Sequence, residues 1–229
     1  MARTLPPKEA HGLLIAVNKS SQSEYQSGVE LSPAQIRKLL AEASATAAKA
    51  KSADLKIQQY SQLATAYRAL GDEDKAKSII HKIKQLAIET ELQDHLAGMF
   101  ARAVAPDDPE LALKTIDRIE RDFSKGRWFS NAFAASAKSG HNGVQKFIEA
   151  TEDPSDVADH LAHAVYDLAK IDLDKTIEMV EKAQDRYSGM NKAKCYAHIA
   201  MSIYDTKPDQ AKQLLRKAFK IIGLSLIHI

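Results

Sequence analysis

The sequence predicts an all-α protein assembled from repeated helix-turn-helix units, and three observations predict it. Alanine occurs 36 times in 229 residues while aromatics make up only 6%, a balance that favours helices over strands. With 9 Gly and 7 Pro, long stretches carry no turn former. Small residues also recur at one period. Ala64, Ala97, Ala132, Ala162 and Ala200 centre five candidate first helices at separations of 33, 35, 30 and 38 residues. Ala76, Ala112, Val144, Thr176 and Ala211 centre the second helices at 36, 32, 32 and 35. Two independent anchor series therefore agree on a period of about 34 residues, in the range of helical-hairpin repeats.

Taken in order, residues 1–31 read as an N-terminal segment that is partly flexible, with Pro6-Pro7, an apolar helix candidate around His11 to Val17, and the polar stretch Asn18 to Gly28. Ser32-Pro33 is an N-cap followed by a first helical residue, and the Ala-rich segment 32–54 is expected to form a capping helix or half repeat. Residues 55–222 are expected to form the repeat domain, because one hairpin cannot bury both apolar faces and must stack on its neighbours. Asp108-Pro109 and Lys207-Pro208 open second helices. In the helix from Gln210 to Ile222, Leu214, Leu215 and Phe219 are expected to face a further neighbour, so the native chain is expected to continue. Gly223 suits a helix C-cap. The string Leu-Ser-Leu-Ile-His-Ile at 224–229 matches one reading frame of a common transposon-based sequencing adapter, so 223–229 are expected to be a non-native tail.

The copies resemble the tetratricopeptide repeat, whose pattern runs W-x2-L-G-x2-Y, then A-x3-F, then P. The first copy carries Tyr60-x2-Leu63-Ala64-x2-Tyr67, the turn Gly71-Asp72 and Ala76-x3-Ile80, with Ile88 at the terminal Pro place. The third keeps the spacing from Trp128 through Ala132 to Val144 and Ile148, with Asn131 and Ala135 at two usually large places. The fifth reads Tyr196-x2-Ile199-Ala200-x2-Ile203, then Ala211-x3-Leu215. The second and fourth carry Leu96-Ala97-x2-Phe100 and Leu161-Ala162-x2-Val165. This resemblance spans Leu55 to Ile222 and implies a right-handed α-solenoid of about five repeats that holds a peptide in its concave groove. Related hairpin repeats such as the HEAT type share the spacing.

Helical register then places the groove about three residues before and one and four after each central alanine. This gives Ser61, Thr65 and Arg68; Asp94, Gly98 and Ala101; Phe129, Phe133 and Ser136; Asp159, His163 and Tyr166; and Ala197, Met201 and Tyr204. Phe129 and Phe133, one turn apart beside Trp128, are expected to anchor a bound segment. Asp94, Asp159 and Asp167 would give the groove a preference for a basic residue, and Tyr166 and Tyr204 occupy equivalent places in adjacent copies. The expected partner-binding set is Arg68, Asp94, Phe129, Phe133, Asp159, His163, Tyr166, Met201 and Tyr204.

Other chemistry finds little support. His95, His160 and His198 share one register, but the Leu161-Ala162 spacer between His160 and His163 supplies no carboxylate, so neither a metal nor another cofactor is expected. There is no GxxxxGK[ST], GxGxxG or GxSxG motif, and Cys195 falls in an apolar helix that disfavours a thiolate, so no enzyme activity is expected. A single cysteine permits no intramolecular disulfide and suits a reducing, cytoplasmic setting. No apolar run approaches a membrane span or a signal-peptide core, and no membrane partner is expected. The formal charge of +2 gives no field that favours nucleic acid; Lys75, Lys77, His81, Lys82 and Lys84 on one second helix read as a solvated face. The function expected is a protein-interaction scaffold that binds a peptide or partner segment. Two alternatives stand beside it: a regulatory or docking part of a larger enzyme or transcription regulator, and an RNA-binding helical repeat.

Overall fold

A computed structural model describes residues 32–223; the N-terminal segment 1–31 and residues 224–229 of the expected tail lie outside the described residues. Twelve α-helices and two short 3-10 turns make up the regular structure, with no strand among the described residues.

The helix starts follow local chemistry. At α1 (Pro33–Ala48) the Gln35 amide donates to Ser32 Oγ at 3.3 Å, while the Ser32 amide donates to Gln35 Oε1 at 2.8 Å, a complete capping box. Ser52 caps α2 (Ala53–Ala69) by accepting from the Leu55 amide at 3.2 Å. The chain leaves α2 through Gly71 at φ +74°, a conformation that disfavours any residue with a Cβ. Asp72 then opens α3 (Glu73–Glu89) by accepting from the Lys75 amide at 3.3 Å. Asp108 does the same for α5 (Pro109–Asp117) and Asp172 for α10 (Leu173–Lys182), each at 3.0 Å. Each such cap contributes about 1 kcal/mol. The other helices are α4 (Asp94–Val104), α6 (Asp122–Ser136), α7 (His141–Glu149), α8 (Val157–Ala162), α9 (Val165–Ile171), α11 (Met190–Ile203) and α12 (Pro208–Ile221). Gly223, at φ +70°, follows α12.

The helices pair in sequence as α2 with α3, α4 with α5, α6 with α7, α9 with α10 and α11 with α12. First helices also pack on first helices: α2 on α4, α4 on α6, α6 on α8, and both α8 and α9 on α11, while α1 packs on α2. The ten anchors of the period lie at these contacts, and each is at most 3% exposed. Small side chains are needed there because helix axes approach to about 8–10 Å. One continuous apolar core runs from Leu40 to Ala218, with Phe100, Phe133 and Phe147 among its largest fully buried side chains.

Three expectations need correction. The fourth first helix is not continuous: it breaks at His163-Ala164 into α8 and α9. No Gly or Pro lies there. Instead the carbonyl of Ala162, which would serve an intrahelical bond, pairs with His198 Nδ1 of α11 at 2.6 Å, a side-chain insertion of the kind that interrupts helices. The end of segment 32–54 shifts by two residues, since α1 packs on α2 and α2 already starts at Ala53. In α12, Leu214 is buried, and Leu215 and Phe219 are half-buried, so the helix lays much of its apolar face on the chain itself.

Candidate partner-binding site

The first helices and the turns that follow them enclose an open cavity of about 580 Å³, a size that suits a small ligand or a peptide side chain with its neighbours. α2 contributes Thr65 and Arg68, α4 contributes Arg102 with Pro106 beyond it, and the α8–α9 junction contributes His163 and Asp167. α6 supplies most of one wall: Arg127, Ser130, Asn131, Ala134 and Ala135, with Lys138 after its end. Arg127, Asn131, Ala134 and Lys138 stand at i, i+4, i+7 and i+11, so one stripe of the helix faces the cavity.

Four of these residues are cations, and they differ in what they already hold. Arg68 is buried. Its guanidinium donates to the carbonyl of Ala103 and to Asp107, and to Glu73 at 3.3 Å. It therefore ties the end of α2 to α3 and to the turn after α4. By contrast, Arg102, Arg127 and Lys138 make no side-chain hydrogen bond or ion pair among the described residues. Arg102 is half-buried, and desolvation lowers its pKa below the ordinary arginine value. Among the described residues Asp167 is the one carboxylate in the lining.

A second cavity of about 500 Å³ shares Pro106 and Lys138 with the first and adds Glu73, Lys77, His81, Lys84 and Asp107 among others. The Arg68 network separates the two, since Arg68 lines one and both of its carboxylate partners line the other. Within the basic cluster on α3, Lys75 pairs with Asp72 at 3.1 Å and Lys84 pairs with Asp108.

The predicted residues divide sharply. Phe133 is fully buried and belongs to the core, not to the groove. With Phe129, Phe147 and His160 it forms an aromatic cluster: centroids lie 6.4 Å apart for Phe129–Phe133, 5.9 Å for Phe133–Phe147 and 5.6 Å for Phe133–His160. Phe129, half-buried, packs on Phe147 at 5.5 Å and on His160 at 5.0 Å. The expected apolar anchor is thus internal packing between α6, α7 and α8. Arg68 walls the cavity but is committed to a structural tie. Asp94 faces the α5–α6 connection instead, accepting from the Glu120 amide at 3.3 Å with Arg121 Nε at 3.9 Å. Asp159 does not line the cavity. Of the three aspartates expected to favour a basic residue, only Asp167 lines the cavity, among four cations.

His163, Tyr166, Met201 and Tyr204 are exposed, the last three by 42%, 67% and 54%. His163 and Asp167 of the cavity flank Tyr166, and α9 packs on α11, which carries Met201. Tyr204 follows at its end. Lys170 Nζ lies 4.1 Å from the Tyr166 ring centroid.

The register reading missed Arg102, Arg127, Asn131 and Lys138. The signal was present as the polar stripe on α6, but the α6 residues that line the cavity are not those at the register places used for α2. Trp128 of α6 packs against Gly98 of α4, where an added Cβ would run into the indole, and its ring meets His95 edge-on at 5.6 Å. Among the described residues no three His, Cys, Asp or Glu side chains converge as a metal site, and no helix is long and apolar enough to cross a membrane. No family model, curated protein or solved structure matches this chain.

Proposed function

We propose that this chain is a protein-interaction scaffold, a right-handed α-solenoid of tetratricopeptide-like hairpins that receives an acidic segment of a partner protein on its first-helix face. The observation that carries the reading is the set of uncommitted cations in one cavity. Among the described residues, half-buried Arg102 and exposed Arg127 and Lys138 line the cavity with no ion pair of their own, against the single carboxylate of Asp167. A half-buried guanidinium with no partner is costly, and an anionic ligand removes that cost. Exposed Tyr166, next in sequence to Asp167 of the lining, and exposed Met201 and Tyr204 on and after the helix packed against α9 add apolar surface of the kind that anchors bound segments. The ordered pairing of first helices along the chain supports the superhelical arrangement.

Three side chains able to act as nucleophile or base are engaged in the interior, which favours a binding module over a catalyst built on them. Cys195 is buried and its thiol is pushed up to about 12 by desolvation. His141 Nε2 is paired with Thr176 Oγ1 at 3.0 Å, and His160 Nδ1 with Ser130 Oγ at 3.1 Å.

Panning a random displayed-peptide library on the full chain tests this. Enriched sequences are expected to be acidic with a flanking aromatic or aliphatic residue, to weaken as salt is raised, and to lose binding to Arg127→Glu. Enrichment of basic sequences, or binding indifferent to Arg127→Glu in a folded protein, would overturn it.

A further inference from the structure

We propose that the first cavity is a phosphate-monoester site, in which Arg102, Arg127 and Lys138 supply the positive field for a dianionic group. For the source of that group, the proposal rests on the partner-segment reading above.

Charge is the first argument. Arg68 is neutralised by Glu73 and Asp107, which among the described residues leaves three cations without an ion pair against Asp167 in the lining. The surplus is two positive charges. A phosphate monoester carries about −1.5 to −2 at neutral pH, whereas one carboxylate carries only about −1.

Hydrogen-bond polarity is the second. Among the described residues the uncommitted polar groups of the cavity are mostly donors: two guanidinium forks, one ammonium and the Nδ2 group of Asn131, against the acceptors Asn131 Oδ1 and the Asp167 carboxylate. Thr65 Oγ1 donates to the carbonyl of Ser61 at 3.0 Å and Ser130 Oγ to that of Gly126 at 3.1 Å, which leaves both hydroxyls only acceptor capacity. A bare peptide backbone presents donors and acceptors equally, so it leaves the excess of charged donors here unmatched. A phosphate presents acceptors alone and matches guanidinium forks bidentately. The volume of about 580 Å³ exceeds that of one phosphate, so the group arrives on a carbon body: a phosphorylated side chain or a small phosphorylated metabolite.

Calorimetric titration of the full chain with phenyl phosphate is the test, with phenylacetate as the carboxylate control. Saturable binding of phenyl phosphate at one site per chain is expected, tighter than phenylacetate by about tenfold or more. Arg127→Gln is expected to weaken it by about tenfold. Arg127 is exposed, so this variant keeps the fold even where Arg102→Gln does not. Lys82→Gln, on an exposed part of α3 outside both cavities, leaves binding unchanged.

The source is read by comparing a displayed-peptide pool bearing phosphoserine with the same pool bearing Ser or Glu. Preference for the phosphoserine pool supports a phosphorylated partner. Phenyl phosphate binding with no pool retained supports the site for a small metabolite and defeats the partner-segment reading alone. Equal binding of phenyl phosphate and phenylacetate, or of the Glu and phosphoserine pools, overturns the phosphate assignment and leaves an acidic-segment scaffold standing. A 12-nucleotide single-stranded RNA that binds and is not displaced by phenyl phosphate overturns it in favour of a nucleic acid.

Discussion

Phe133 shows how much one side chain changes meaning between sequence and structure. It lies wholly within the cluster of Phe129, Phe147 and His160, so Phe133→Ala is expected to cost about 3–5 kcal/mol, measured by chemical denaturation. A groove residue would instead leave stability nearly unchanged. Gly98 is the complementary case. Alanine in place of glycine within a helix normally stabilises by about 1 kcal/mol, but here the new methyl would run into the Trp128 ring. Overpacking of about 1–3 kcal/mol wins, so Gly98→Ala is expected to lower the denaturation midpoint. Because Trp128 is the only tryptophan, its emission reports the displaced ring directly. The anchors were legible because close helix approach demands small residues at fixed spacing. The facing of Phe129 and Phe133 was not, because it depends on Phe147 of α7 and His160 of α8, partners that spacing within α6 does not encode.

At the level of elements, starts were easier to read than continuity. Ser32, Asp72 and Asp108 lie next to the turns they cap, and a short-range hydrogen bond is visible in a short stretch of sequence. The break between α8 and α9 depends on His198, 36 residues from the Ala162 carbonyl it meets, and no local pattern announces it. Arg68 is another long-range tie, joining α2 to Glu73 of α3 and to Ala103 and Asp107 after it. Removing it leaves the Ala103 carbonyl and Asp107 without their donor, so Arg68→Ala is expected to cost about 3 kcal/mol. Denaturation of that variant in parallel with Lys77→Ala, an exposed neighbour, separates the tie from a general loss of charge.

For the whole molecule, the net charge of +2 conceals the local surplus of cations in the first cavity, since composition averages over surfaces that never meet. Its pH response follows from buried histidines. Desolvation is the largest cause lowering the pKa of both His141 and His160, with Lys175 adding to it at His141 and His163 adding a smaller push at His160 against the opposing Asp159 and Asp156. The unfolded chain, with histidines near pKa 6.5, therefore binds more protons than the folded one as pH falls below about 6.5. Stability is fully present above that value and is lost as pH falls toward the folded pKa values. A second loss follows at stronger acid, because hydrogen bonds from Ser155 and then Arg186 hold Asp153 down at about 2. That contribution is present above about 3.9 and is lost as pH falls through the folded value. Melting temperatures are expected to drop between pH 7.5 and 5, and the drop to flatten in a His141→Gln, His160→Gln double variant.

The divided first helix bears on mechanics. α8 and α9 are six and seven residues long, and at their junction one carbonyl bonds across to α11 instead of along its own axis. Set among unbroken helices, they act as a jointed strut between beams. Tension along the series of packed helices would bend this joint before it shortened any beam, so strain would gather at α8–α9, beside the cavity residues His163 and Asp167.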